Sequence, residues 1–178
     1  MRIRFPVIIT LLVVWSLLGF SECAVALYAV EESNLHAALK RLDTYSADLL
    51  AFAEANRDNS LEYEIASDLD SQASLASAYV ESAETLLDLY QTLSCSSDRA
   101  KAADTIRETF ADYAKRLAYL AKQAQNGVAH TKVPGLAVTG GKLRDGLRQL
   151  SNVFERGAAI DPLPPSKHFD RDAPPAGR

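Results

Sequence analysis

Four stretches of the chain repeat apolar residues every three or four positions, the spacing that gives an α-helix one apolar face. The first stretch is Val25–Asn56, and the second begins after Asn59. The third, Ala103–Ala124, alternates steps of three and four without interruption, as a coiled coil does. The fourth is Leu143–Phe154. Because no segment of useful length alternates apolar and polar residues as a strand would, we predict an all-α chain.

Turn and capping residues divide these stretches into helices. Asn59 and Glu62 are spaced as a capping box for the second helix. We expect Asn126-Gly127 to end the third helix, because glycine readily takes the left-handed conformation of a helix C-terminus. Pro134-Gly135 and Gly140-Gly141 then predict a loop, and the last helix is expected from about Gly140 to Arg156.

The predicted fold is an antiparallel up-down-up-down four-helix bundle with long helices 1–3 and a shorter fourth helix. At 1.5 Å per residue the first three helices are roughly 46 to 53 Å long, and the fourth is about 26 Å. Folding the first two helices about Asn59 pairs residues whose numbers sum to about 118. This register repeatedly sets a large side chain against a small one, which favours close helix packing: Leu35 with Ala83, Leu39 with Tyr79, Leu42 with Ala76, Tyr45 with Ala73, Leu49 with Leu69, and Ala53 with Ile65.

The N-terminus is typical of an export signal. Arg2 and Arg4 precede a short apolar run that stops at Ser21-Glu22, before it is long enough to span a bilayer. We therefore predict a secretion signal peptide at residues 1–21, a helical bundle domain at 22–160 and a Pro-rich disordered tail at 161–178. The protein would be secreted or periplasmic, and it would be held at a membrane only if the N-terminal segment were not cleaved.

The two cysteines, Cys23 and Cys95, also sum to 118 and so fall at the same end of the predicted hairpin. Outside the cytoplasm they are expected to form a disulfide. Such a bridge would stabilise the fold by roughly 4 kcal/mol in the chain-entropy model. This pairing requires cleavage after Ser21. Cleavage after Ala26, which also follows a small-x-small pattern, would remove Cys23 and leave Cys95 for an intermolecular bond.

Charge is distributed unevenly along the chain. Residues 22–95 are strongly acidic and residues 96–160 are net basic, while the whole chain carries a formal charge of −4. A basic half can indicate an anionic partner, but nucleic-acid-binding domains are usually basic overall. An acidic helical hairpin packed beside a basic one accounts for the pattern, and we predict no nucleic-acid partner.

The chain contains no complete sequence motif for catalysis or for cofactor binding. Gly135–Leu143 resembles a phosphate-binding loop only loosely, since Leu143 stands where Ser or Thr should contact magnesium. His36, His130 and His168 are scattered, and the acidic stretch from Asp58 to Asp70 lacks the spacing of a calcium loop. We therefore expect no cofactor, no metal and no catalytic residues; a hydrolase using Glu32 and His36 ranks last.

A short fourth helix would leave an apolar groove at the Cys23–Cys95 end of the bundle. This predicts a site for a partner or ligand, unless residues 158–169 fold back and fill it. The leading function is an interaction module that binds a protein partner or self-associates; the alternative is a carrier of small apolar ligands. The groove would be lined by Leu27, Tyr28, Leu86, Leu87, Tyr90, Ile106 and Phe110.

Overall fold

The computed structural model describes residues 33–160, which form a four-helix bundle with no strand among them. Helix α1 includes residues 33–55. It is followed by α2 (Ser60–Thr92), α3 (Ser96–His130) and α4 (Pro134–Ala158). The predicted all-α four-helix bundle is confirmed. The predicted signal peptide and Pro-rich tail lie outside the described residues.

Contacts between α1 and α2 follow the register expected from the sequence. The Ser46 hydroxyl donates to Asp70 Oδ1 at 2.5 Å, and His36 Nδ1 lies 3.7 Å from Glu84 Oε1. The residue numbers of these two pairs sum to 116 and 120, on either side of the expected 118. The earlier residue of α1 contacts the later residue of α2, so the two helices are antiparallel, as in a helical hairpin.

α3 and α4 also run in opposite directions, because residues later in α4 contact residues earlier in α3. Ser151 of α4 donates to the carbonyl of Ala114 in α3 at 2.8 Å. Farther along α3, Gln125 accepts from Arg144 of α4 at 2.7 Å. The core between the four helices is almost entirely aliphatic and aromatic, and its largest fully buried side chains are Phe154, Leu35, Leu49, Leu69, Leu117, Leu136, Leu143, Leu147, Leu150 and Val80.

The predicted end of the third helix and the predicted start of the fourth are both wrong. α3 continues through Gly127 to His130, and α4 begins at Pro134, so only Thr131–Val133 separates them. Proline suits this first helical position because its fixed φ matches a helix and its missing N–H would have had no partner there. α4 is thereby lengthened to 25 residues, or about 37 Å.

Neighbouring side chains leave room for no residue larger than glycine at position 140 of α4. A Cβ added to it would lie 2.7 Å from Val128 Cγ2 and 2.9 Å from Leu69 Cδ1. The glycine therefore lets α4 pack closely on α2 and α3. Nothing within 4 Å would meet a Cβ at the adjacent Gly141. The predicted hinge at this glycine pair is replaced by continuous helix.

Glu62 has a different role from the one its sequence position predicts. Asn59 caps α2 as expected, accepting from the Glu62 backbone N–H at 3.5 Å. The Glu62 carboxylate does not form part of a solvated acidic face, because its side chain is buried, with 2% of the residue exposed. It accepts hydrogen bonds from the Thr131 hydroxyl and, at 2.8 Å, from the Lys132 backbone N–H. Glu62 thus ties the start of α2 to the α3–α4 connection.

These contacts make the stability of the fold depend on pH. The hydrogen bond from Thr131, and then that from the Lys132 backbone, hold the pKa of Glu62 below its ordinary value of 4.5. A carboxyl whose pKa is lowered in the folded state stabilises the fold above its unfolded pKa, and this contribution is lost as the pH falls through the folded pKa. We expect Glu62→Gln to destabilise the protein at neutral pH. The deficit relative to wild type should shrink progressively below about pH 4.5.

Urea unfolding midpoints measured from neutral pH to about pH 3 check this expectation. Glu64→Gln is the matched control, because Glu64 lies on the same helical turn and is exposed. A deficit for Glu62→Gln that is as large in acid as at neutral pH would contradict the role assigned to the carboxylate.

Candidate functional site

The described residues of the predicted apolar groove lie mostly inside the bundle. Leu87, Tyr90, Ile106 and Phe110 are buried, and Leu86 is half-buried. Burial also raises the pKa of the Tyr90 hydroxyl.

The C-terminal part of α4 packs against Phe110 of α3. The Phe110 ring meets the Phe154 ring edge to face, with centroids 5.1 Å apart, and a Cβ on Gly157 would lie 2.8 Å from Phe110 Cδ2. Phe110 is therefore covered by the end of α4. Leu27 and Tyr28 lie outside the described residues, so the groove that would include them stays a prediction.

A different apolar surface lies on the outside of α2. Leu61, Leu75 and Leu89 are 48%, 43% and 57% exposed. They are spaced fourteen residues apart, which is two heptads, and so they occupy one heptad position along the helix. We call these three residues the leucine stripe.

The leucine stripe faces the α3 side of α2. Ser82 shares its heptad position, and the Ser82 hydroxyl lies 2.9 Å from the Tyr113 hydroxyl of α3. Three residues before Ser82 on α2, the ring of Tyr79 stacks on the Tyr113 ring with centroids 4.7 Å apart. These contacts pair residues of α2 and α3 whose numbers sum to 192–195, so Leu75 lies level with Tyr119. Tyr119 is 61% exposed and extends the apolar surface across to α3.

The helix that carries the stripe is acidic along its whole length. α2 contains seven carboxylates and no Lys or Arg. One of them, Asp68, occupies the heptad position of the stripe between Leu61 and Leu75. Glu64 and Asp88 are also exposed on α2. The stripe therefore has negative charge on its α2 side.

A second surface feature is a cleft of about 240 Å³ between α1 and α4, which we call the α1–α4 cleft. Tyr45 of α1 and Gly146 of α4 both line it and pack against each other, since a Cβ on the glycine would lie 3.4 Å from the tyrosine ring. Its floor is apolar and consists of Ala38, Leu42, Leu150 and Val153. Its rim is polar and consists of Asn34, Arg41, Gln149, Asn152 and Arg156.

Cys95 occupies the N-cap position of α3 and is exposed. The Ser97 hydroxyl lies 3.1 Å from its sulfur. That hydrogen bond, followed by those from the backbone N–H groups of Asp98 and Ser97, lowers the pKa of the Cys95 thiol. A greater thiolate fraction favours disulfide exchange. Its predicted partner Cys23 lies outside the described residues.

The structure also places the residues considered for catalysis and cofactor binding. The segment that loosely resembles a phosphate-binding loop is part of α4. His36 is on the surface beside Glu84, whereas Glu32 lies outside the described residues. Within residues 33–160, no three His, Cys, Asp or Glu side chains are grouped closely enough to hold a metal ion. None of the described helices is long and apolar enough to cross a bilayer.

Comparison with known proteins adds no further assignment: no protein family, no curated protein and no solved structure matches this chain.

Neither surface feature could be predicted from the sequence, for two different physical reasons. The fourteen-residue spacing of Leu61, Leu75 and Leu89 is visible in the sequence, but three isolated leucines within an amphipathic helix do not stand out beside its larger buried stripe. The α1–α4 cleft lies between two helices that are distant in sequence, where Gly146 packs against Tyr45. No signal within either helix indicates that pairing.

Proposed function

We propose that this protein is an exported helical-bundle interaction module that binds a protein partner through the leucine stripe of α2. The observation that carries the proposal is the placement of three exposed leucines at one heptad position. Exposed leucines that recur every fourteen residues keep to one side of the helix, so a second amphipathic helix packed alongside could cover all three.

The charge of α2 specifies the chemistry of the partner. α2 has no basic residue and four exposed carboxylates, which favours a partner helix with lysine and arginine beside its apolar face; these are Glu64, Asp68, Glu81 and Asp88. A second copy of α2 would bring like charges together, which opposes self-association through this surface. We therefore propose a basic amphipathic helix as the occupant, with self-association as the competing outcome.

The size of the effect follows from the exposed area. Each leucine of the stripe is about half exposed, so burying it should contribute roughly 1 kcal/mol, half of the value for a fully exposed leucine. Replacing two leucines should therefore weaken binding by about 2 kcal/mol, or roughly thirtyfold.

Fluorescence anisotropy with a labelled amphipathic leucine–lysine peptide tests the proposal on the full exported protein. We expect the peptide to bind wild type and to bind the double variant Leu75→Gln/Leu89→Gln roughly thirtyfold more weakly. The corresponding leucine–glutamate peptide should not bind, because α2 repels it.

Leu50→Gln is the matched control, since Leu50 is 52% exposed on α1, away from the stripe. It should bind as wild type does. Equal binding of the basic peptide to all three proteins would indicate attraction by charge alone and would contradict the proposal. A concentration-dependent dimer in sedimentation velocity that Leu75→Gln/Leu89→Gln abolishes would instead assign the stripe to self-association.

The proposal includes export and a disulfide between Cys23 and Cys95. The basic, apolar N-terminus supports export to the periplasm or the extracellular space, and the lowered pKa of Cys95 supports its oxidation there. The intact mass of the exported protein under non-reducing conditions tests both points. A chain that begins at Glu22 and lacks two thiol hydrogens is expected, whereas a chain that begins at Leu27 would exclude the intramolecular bridge.

A second candidate function is carriage of small apolar ligands. The α1–α4 cleft favours it, because a concave site with an apolar floor and a few polar groups at its rim is the usual form of a small-molecule site.

A further inference from the structure

A charged residue interrupts the leucine stripe. The heptad position that carries the three leucines is occupied, in chain order, by Leu61, Asp68, Leu75, Ser82 and Leu89. Successive residues of this set are seven positions apart, which is about 10 Å along the helix. A partner helix that covers both Leu61 and Leu75 must therefore also cover Asp68, which lies between them.

The bundle does not neutralise the carboxylate of Asp68. Asp68 is exposed, and its side chain forms no hydrogen bond or ion pair with the residues that the structure describes. A Cβ on Gly127 would lie 3.6 Å from Leu69 Cδ2, so the part of α3 beside Asp68 is the segment around Gly127. Residues 123–129 of that segment include no charged residue. A counter-charge for Asp68 must therefore come from a binding partner.

Ser82, the other polar residue at this heptad position, places no such demand on a partner. Its hydroxyl lies 2.9 Å from the Tyr113 hydroxyl of α3, so it already has a hydrogen bond when a partner covers it. Covering the Asp68 carboxylate without a counter-charge would be costly, because an ionised group is removed from water only at a large cost in free energy. Asp68 is thus the residue of the set that discriminates between partners.

We propose that Asp68 sets the register of the partner helix by pairing with one lysine or arginine within the partner's apolar face. This inference rests on the proposed binding of a basic amphipathic helix and specifies that helix further. A single polar residue at an interface position of two packed helices fixes their register. Asp68 is the second of the five residues at its heptad position. The base of the partner therefore belongs in the second of five heptads if the partner is parallel to α2, and in the fourth if it is antiparallel.

Five labelled peptides of identical composition test this inference by fluorescence anisotropy with the full exported protein. Each is an amphipathic leucine–lysine helix of five heptads, and in each a lysine replaces the leucine at the central apolar position of a different heptad. We expect the peptide with lysine in the second or the fourth heptad to bind roughly five- to tenfold more tightly than those with lysine in the first, third or fifth. The reason is that only these two can place a base against Asp68 while covering all three leucines of the stripe.

Three variants separate this pairing from the general charge of α2. Asp68→Asn removes the charge and keeps the shape of the side chain, so the five peptides should bind it equally. Asp88→Asn is the matched control, because it removes another exposed carboxylate of α2 that is outside the heptad position of the stripe. It should weaken all five peptides alike and retain the preference. Asp68→Lys should reverse the preference, so that glutamate at the selected position binds more tightly than lysine.

The outcomes that overturn this inference differ from those that overturn the proposed function. Equal affinity of the five peptides for wild type, with binding still weakened by Leu75→Gln/Leu89→Gln, would leave the stripe as the binding surface and remove the role of Asp68. A preference that persists in Asp68→Asn would also contradict the inference, because another group would then set the register. If neither these peptides nor the parent leucine–lysine peptide binds, the proposed function and this inference are both wrong.

Discussion

Replacing Phe154 with alanine is expected to lower the free energy of unfolding by about 4 kcal/mol, the largest single-residue effect that we predict. Phe154 is fully buried, with 0% of its surface exposed. Its ring meets Phe110 and Tyr113 edge to face at centroid distances of 5.1 and 5.6 Å. Truncation would therefore leave a cavity between α3 and α4 and remove two aromatic contacts, each of which adds to the loss of burial.

Chemical denaturation of the two proteins, followed by circular dichroism, measures this effect. Tyr119→Ala is the control, because it removes an aromatic ring that is 61% exposed and should change the free energy of unfolding by about 0.5 kcal/mol or less. Comparable losses for the two variants would mean that Phe154 is not at the centre of the packing between α3 and α4.

The adjacent glycines of α4 should respond to alanine with opposite signs. Gly140→Ala forces a methyl group against Val128 and Leu69, and overpacking of this kind typically costs about 1 to 3 kcal/mol. The gain in helix propensity offsets up to about 1 kcal/mol of that cost. Gly141→Ala obtains the same gain with nothing within 4 Å to meet the new methyl group, so it should stabilise the protein by about 0.5 to 1 kcal/mol.

Thermal and urea unfolding of the two variants beside wild type provide the measurement. The pair is informative because the two substitutions are chemically identical and differ only in helix face. If the two glycines formed a turn with positive φ, alanine would be unfavourable at both positions. Destabilisation by Gly141→Ala would therefore argue against the continuous α4 helix.

The sequence pattern was sufficient to predict the bundle because each helix has a long, regular buried face. The heptad of α3 includes Ile106, Phe110 and Leu117, and all three are buried as expected. The register of α1 against α2 was also available, since alternating large and small residues restrict how two antiparallel helices can pack. The spacing and the sizes of the apolar residues were therefore enough to predict the bundle and the register of α1 against α2.

The extent of α4 was not predicted, because its N-terminal half contains residues that usually end helices. Leu136, Gly140, Leu143 and Leu147 keep the spacing of a buried helical face. Because glycine and proline usually end helices, the glycines and Pro134 led to the prediction of a loop there. Packing against Val128 and Leu69 explains Gly140, and such a contact between distant parts of the chain is not visible in local sequence. Tertiary packing here outweighs intrinsic helix propensity.

The role of Glu62 was missed for the same kind of reason. Its position three residues after Asn59 indicated a local cap, but its carboxylate binds Thr131 and the backbone of Lys132, about seventy residues away. A buried carboxylate with two donors is readily recognised in a structure. In the sequence it resembles the exposed acids on either side of it.

The leucine stripe and the α1–α4 cleft lie on different helices, so two binding functions can be separated experimentally. The stripe is on α2 beside α3, and the cleft lies between α1 and α4. Substitutions in one should leave binding at the other unchanged. The α2 surface is the basis of the main proposal because its leucines are the more extended apolar feature and its charge specifies a partner.

Amide chemical-shift mapping of the exported protein with the basic leucine–lysine peptide tests that main proposal most directly. The account predicts perturbations along α2 near Leu61, Leu75 and Leu89 and at Tyr119 of α3, with the residues of the α1–α4 cleft unchanged. Perturbations spread evenly over the acidic residues of α1 and α2, or confined to the cleft, would contradict it.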